Sequence, residues 1–448
     1  MYAAVIDPSN GYAYFIGEYL FKLDLTGNLP VPIGPALDTG QSAEAAIDPA
    51  ARYLYLPKGT IYRYDLGAGS NAVSSAGSFT LAAGNASAIA IDNSDPIPSN
   101  HFGYVLCTAP ATPGKVVKVA LATFTEYGSV TFSAGESNFV FGTLVDVSHG
   151  YAYFLARAAG IPQVVKVKFT PGTNAPVRIG AVALDTTNVF VDGASIDPVH
   201  GYAYYGTYDS DTNVPGKVYK VKLGDGDVSP TAIGHVNLLP GEGRLAASVL
   251  DPLGGYVYFT DDNTYPGHVY QLSLNGTNLP VEIGALLLQG GPPGPHPTNG
   301  VTTANTTTNS DGVLPYGEVF FRSAVFDALR GYAYLGQDSR PNQVVKVKLA
   351  KDPQIIALTA DGTITWNNCE TNDYYGIEWV WNLGDSWMAL DTNLPYWNLP
   401  ATQAVTSVSV TNLPALWDQS QSLATNAGDT VDGLFFRVVS SPKILTPP

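Results

Sequence analysis

The sequence predicts an all-β chain, a seven-bladed β-propeller followed by a small β-sandwich domain. One phrase recurs seven times: an apolar strand ending in Asp, a tight turn, an aromatic strand and a Val/Lys strand. Its marker residues are Asp7, Asp48, Asp92, Asp146, Asp197, Asp251 and Asp327. They stand 41, 44, 54, 51, 54 and 76 residues apart, a period that fits propeller blades built of short strands. All six tryptophans fall after residue 365, and only Arg437 and Lys443 are basic beyond Lys351. That shift marks a second domain, so the expected division is 1–352 for the propeller and 353–448 for the C-terminal module.

The fifth repeat, Ser195 to Leu223, justifies the elements in order. Residues Gly193 to Ile196 alternate small and apolar side chains, as an innermost strand crowded around an axis must. Asp197-Pro198-Val199-His200-Gly201 is turn chemistry: Asp accepts from its own backbone, Pro fixes φ, and Gly tolerates positive φ. Tyr202 to Gly206 is aromatic and suits a half-buried pleated surface. Lys217 to Leu223 is the third strand. The fourth is PTAIG at 230–234, echoed by PVPIG at 30–34, PVRIG at 176–180 and PVEIG at 280–284. A Pro/Gly/Thr/Asn stretch at 290–317 reads as a loop insert before the seventh inner strand. The seventh repeat has three clear strands, ending at Val344–Leu349. Its outer strand is expected from Gln354–Leu358, from elsewhere in the chain, or from another molecule.

The aromatic strands GYAYFIG from Gly11, GYAYFLA from Gly150 and GYAYYGT from Gly201 are matched by VVKVKF from Val164 and VVKVKL from Val344. Together they resemble the YVTN-type, seven-bladed propellers of bacterial and archaeal surface proteins, over about residues 1–350. The third strand carries Lys where that family often has an apolar residue. The resemblance implies the fold, and a place among cell-surface binders and a few enzymes. Further on, ALTADGTITWNN is a hairpin around Asp361-Gly362. Thr363–Trp366, Ile377–Trp379 and Phe436–Val438 resemble small β-sandwich modules appended to secreted bacterial proteins, which implies attachment or spacing. Trp366 and Trp379 are expected in the core of that module rather than as a platform for sugar rings.

Composition narrows the function. A chain with 45% hydrophobic and 13% charged residues is globular. Its net charge of −16 argues against nucleic acid and against an anionic membrane surface. No apolar run is long enough to cross a bilayer. Cys107 and Cys369 lie in different expected domains; no disulfide framework is implied, and a bridge between them stays open. Met1 runs straight into the first strand with no signal peptide. Low Lys, few Cys and many Thr, Asn, Tyr and Gly nonetheless favour a secreted or cell-surface location.

Long loops between second and third strands, such as Tyr208–Gly216 and Asp261–Gly267, share one propeller face with the 290–317 insert. Variable loops on a rigid scaffold are where binding resides. Asp209, Asp211 and Asn213 alternate oxygen ligands in the manner of a calcium loop, and Asp261, Asp262 and Asn263 occupy the equivalent loop of the next blade. The glycine and glutamate of an EF-hand are missing, so a loop Ca2+ is the one cofactor considered.

The marker aspartates are expected to serve turns rather than a ring of acids. His101, His149 and His200, in the inner turns of consecutive blades, are likewise read as turn residues rather than zinc ligands. Lys22, Arg63, Lys118, Lys166, Lys220 and Lys346 recur in third strands. Their stems are expected to cover apolar surface while the charge reaches solvent or a neighbouring acid. Asn85, Asn275 and Asn305 open glycosylation triplets.

No nucleophile elbow, zinc-binding helix, phosphate loop or dinucleotide fingerprint appears. The expectation is therefore a non-catalytic exported propeller acting in binding, adhesion or scaffolding, with an extracellular protein or glycan as partner. One alternative is a self-associating subunit of an extracellular filament, joined by strand donation at blade seven. The other is a metal-dependent, lactonase-like hydrolase, with Glu18, Glu44, Glu136, Asp192, Glu242 and Glu318 as candidate acids.

Overall fold

The computed structural model describes residues 1–349 except 28, 43, 109–112, 139–141, 185–189, 209–213, 253, 263–266, 289–320, 329 and 339–342. Beyond these it describes 355–358, 363–367, 374–380, 388–389, 399–400, 405–409 and 435–441. The chain forms two compact units, Met1–Lys348 and Leu349–Pro448.

The first unit is a seven-bladed propeller of antiparallel sheets in chain order. Blade five shows the plan: inner strand Phe190–Asp197, then Tyr202–Tyr208, Lys217–Lys222 and outer strand Thr231–Asn237. The inner strand starts before Gly193 because buried Val191 extends the alternation. Blade one splits its outer strand into Val31–Pro32 and Leu37–Asp38. Blade four splits its inner strand into Ser137–Asn138 and Leu144–Asp146. Blade seven shows three strands among the described residues: Phe321–Asp327, Tyr332–Gln337 and Val344–Lys348. Among those residues the one helical turn is the 3-10 segment Pro98–Asn100, in the longer inner turn of blade three.

The turn chemistry works as read. Asp197 accepts from the His200 backbone N–H at 3.1 Å, Asp251 from Gly254 at 2.9 Å and Asp146 from His149 at 3.0 Å. The glycine before the aromatic strand is left-handed, with φ of 74° at Gly201; Arg52 adopts 60° in blade two without that freedom. In three of its four copies the PxxIG motif proves to be a β-bulge. Lys166 pairs with Gly180 and Val167 with Arg178, leaving Ile179 over, and Ile233 and Ile283 are left over in the same way.

Buried aromatics and β-branched residues fill the spaces between blades. Tyr204, Val218, Phe259 and Tyr270 join blade five to blade six. Phe15, Leu25, Val325 and Tyr334 join blade one to blade seven, so the ring closes by packing.

The recurring third-strand cations depart from expectation. Lys118, Lys166 and Lys220 are 0% exposed, so their charges reach neither solvent nor an acid. Each ammonium instead enters the Gly-rich third-to-fourth turn of the following blade. Lys166 Nζ donates to the carbonyls of Leu223, Gly224, Gly226 and Val228 at 3.0, 2.6, 2.7 and 3.2 Å. Lys22 meets Gly67, Gly69 and Asn71 at 2.8, 2.7 and 3.2 Å. Lys118 meets Thr170 and Gly172, and Lys220 meets Leu274, Gly276 and Asn278.

The first aromatic of the second strand roofs each charge: Lys166 lies 4.0 Å from the Tyr151 ring centroid and Lys220 4.1 Å from that of Tyr202. Arg63 takes the role between blades two and three, donating to Leu121 O at 3.1 Å, and Lys346 reaches Gly27 O at 3.3 Å across the closure. Gln271 occupies the equivalent position in blade six and donates to the Tyr258 hydroxyl at 3.1 Å. Burial lowers the lysine pKa values, and oriented carbonyls plus a ring face replace the lost water.

The second unit holds two antiparallel sheets. Ile355–Leu358, Thr363–Asn367 and Val405–Ser409 form one. In the other, Tyr374–Val380 pairs with Phe435–Ser441, Met388–Ala389 and Leu399–Pro400. Trp366 and Ile377 are fully buried, the former as a core residue should be. Ile355–Leu358 therefore pairs within this unit and is not the outer strand of blade seven.

Candidate functional site

Strand alternation divides the loops between two propeller faces. Turns from inner to second strand and from third to outer strand share one face; all other connections share the opposite one. Six of the seven inner turns hold four residues each. On the opposite face, second-to-third connections run from one residue, at Gly59, to eight, between Tyr208 and Lys217. The strand ends Leu287 and Phe321, on the same face, are separated by 33 residues in sequence.

An axial channel of about 200 Å³ opens on that variable face. Small residues at the starts of inner strands line it, including Ala3, Ala45, Ala194 and Ala246, and three charged side chains enter it: Glu44, Asp192 and Arg322. Tyr2, Asp192 and Arg322 each lie five positions before a marker aspartate, and Glu44 lies four before, so strand register brings them together.

Their partners differ. Arg322 is compensated: Nη2 lies 2.7 Å from Asp262 Oδ2, and Nε lies 3.6 Å from Asp338 Oδ2. Its Nη2 also donates to the Tyr208 hydroxyl at 3.4 Å, and its guanidinium stands 5.7 Å from the Tyr2 ring. Among the described residues Glu44 has backbone donors alone: Thr143 N–H reaches Oε1 at 3.5 Å, and Gly142 also donates. Asp192 Oδ1 is shut off from solvent with no hydrogen-bond partner among the described residues. Burial, against those backbone donors, pushes the Glu44 carboxyl up to about 8. Burial raises Asp192 to about 7, with Arg322 opposing the shift and Asp262 adding to it.

The expected site residues separate. Asp261 is buried and accepts from the Tyr270 hydroxyl at 2.9 Å, while Asp262 is buried against Arg322. The two carboxylates thus serve different partners. Asp209, Asp211, Asn213, Asn263 and Asn305 lie outside the described residues, as do Glu318 and Cys369. Among the described residues no cluster of three His, Cys, Asp or Glu could hold a metal ion.

His149 and His200 are 60% exposed and pair with their own turn aspartates at 2.8 and 2.7 Å. His101 is fully buried and bridges blades, with Nδ1 2.5 Å from Asp48 Oδ2 and Nε2 2.7 Å from Asp95 O. Glu136 is held by Arg178 at 2.5 Å, and Glu242 accepts from Leu239 N–H at 2.9 Å. Glu18 is exposed. Asn275 sits exposed in a turn at φ 52°, and Asn85 begins the inner strand of blade three. Cys107 is buried, which lifts its thiol to about 12.

Arg322 and Tyr208 escaped the sequence reading. For Arg322 the signal was a repeat position: five residues before the marker, where Ala246 and Ser87 show the usual small side chain.

No protein-family model matches the chain, and no curated protein matches it significantly. Among solved structures, a chain of Kuenenia stuttgartiensis hydrazine synthase aligns with TM-score 0.53 and 11% identity, covering 78% of this chain and 96% of that one. A chain of the mitotic checkpoint complex aligns at 0.50 and 6%, covering 78% and 92%. A putative 6-phosphogluconolactonase from Bacteroides fragilis reaches 0.48 and 10%, covering 78% and 98%. At such identities the likeness shows the propeller fold alone.

Proposed function

We propose that this chain is a non-catalytic, exported or cell-surface binding protein whose variable propeller face engages an extracellular protein or glycan. The carrying observation is the asymmetry between faces: turns of four to nine residues on one, connections of one to 33 residues on the other. A surface serving only the scaffold would keep both sets short. The axial acids give a hydrolase little support, because Glu44 and Asp192 share the channel while Glu136 and Glu242 are engaged elsewhere.

The test is binding of the full chain to a glycan array and to purified extracellular matrix proteins. Tyr208→Ala on the variable face should weaken binding, and Lys168→Ala on the turn face should leave it intact. Turnover of lactones or esters that is lost in Glu44→Gln would replace this reading with the hydrolase.

A second reading has its own observation. Blade seven shows three strands among the described residues, and Ile355–Leu358 pairs in the second unit instead. A strand supplied by a neighbouring molecule would extend the blade and join subunits head to tail. Light scattering at several concentrations decides it: growth beyond 47.3 kDa supports the subunit, and a constant monomer mass removes it.

A further inference from the structure

The axial channel carries carboxyl groups that its own walls do not fully satisfy. Arg322 is satisfied by Asp262 and Asp338. Two further carboxyl groups face the channel, Glu44 from blade two and Asp192 from blade five, and Arg322, already engaged, is the one cation acting on Asp192. Among the described residues Glu44 is held by backbone N–H groups alone, and Asp192 Oδ1 has no hydrogen-bond partner. A buried acceptor left unmade is costly, so an unpartnered carboxylate oxygen at a cavity wall points to a donor that arrives with a ligand. The remaining wall is short, with the small side chains of Ala3, Ala45, Ala194 and Ala246 leaving the space of about 200 Å³.

We infer that the axial channel is a binding site for a small primary amine in its ammonium form, with Glu44 and Asp192 accepting its N–H donors and the alanine wall receiving its short alkyl chain. The chemistry favours an ammonium over a metal ion. A calcium ion takes six to eight oxygen ligands, whereas an ammonium is satisfied by about three acceptors. No three-residue cluster of metal-ligating side chains exists among the described residues. An anion is disfavoured because the one cation in the channel is already compensated. The desolvation that raises both carboxyl pKa values is the same desolvation that a buried ammonium would offset. The inference stands apart from the partner-binding role of the variable face, since it needs no macromolecule.

Isothermal titration calorimetry of the full chain at neutral pH and low salt tests it, with propylamine as probe, propanol as its neutral match and calcium chloride as the metal arm. Saturable propylamine binding is expected, with little response to propanol. Asp192→Asn and Glu44→Gln should each weaken propylamine at least tenfold, while Glu136→Gln, whose partner is Arg178, should not. Ala194→Leu keeps both carboxyl groups and fills the channel; it should abolish binding, so the site stays testable if a charge variant fails to fold. Thermal unfolding without ligand confirms that each variant is folded. Absence of propylamine binding, an equal response to propanol, or calcium binding lost in the same variants would overturn the inference. Loss of glycan or protein binding with propylamine binding intact would count against the proposed function alone.

Discussion

A single buried ammonium shows how the repeat is held together. Lys166 has lost its water and gained four carbonyls and a ring face, all of which need the charge in place. Lys166→Met keeps most of the stem volume but strands those carbonyls, so it should cost about 3 kcal/mol. Urea unfolding checks this, with exposed Lys168→Met as a control expected within about 0.5 kcal/mol of the parent. His101 makes a comparable bridge. His101→Ala leaves Asp48 buried without its imidazole and should cost about 3–5 kcal/mol by the same measurement. Burial opposes the charged imidazole, but Asp48 and the Asp95 carbonyl outweigh it and raise the His101 pKa. This contribution is therefore present at acid pH and fades as pH rises through the raised value.

At the level of strands, the interfaces between blades depend on where side chains are absent. Gly206, in the second strand of blade five, lies against blade six, and a Cβ there would come within 2.7 Å of Leu245 Cβ and 2.8 Å of the Phe259 ring. Gly206→Ala should thus overpack the interface and cost about 1–3 kcal/mol, read as a shift of the urea midpoint with an unchanged slope. The exposed turn glycine Gly226 meets nothing within 4 Å, so the penalty there would come from its φ of 56° alone. The bulges at Ile179, Ile233 and Ile283 belong to the same scale. They bend outer strands whose motif was visible in sequence but whose pairing was not.

Across the whole ring, inner strands from distant repeats meet at one axis, and their charges interact there. Both axial carboxyls titrate above their ordinary values, Glu44 at about 8 and Asp192 at about 7. The folded state therefore binds their protons more tightly than the unfolded chain does. The stability they contribute is full below the ordinary carboxyl range and is lost as pH rises through about 7 and about 8. Thermal unfolding from pH 5 to pH 9 should show this decline, and the double variant Glu44→Gln/Asp192→Asn should flatten it. An unchanged slope in that variant would mean the axial acids do not govern it.

The amino-acid sequence alone determined the blade count, the turns and the order of strands, because each rests on local chemistry: Asp before a turn, left-handed Gly after it, aromatics at alternate positions. It also marked the third-strand cations as structural, though it placed their charges in solvent or beside a neighbouring acid. Only the tertiary structure decided where those charges go, because the carbonyls that hold Lys166 lie 57 to 62 positions away in the next blade. The candidate site was legible in part: Glu44 and Asp192 belonged to a set of six candidate acids, but nothing local separated them from Glu136 and Glu242. Closure of the ring made that selection, since residues 148 positions apart share a wall only when seven blades surround one axis.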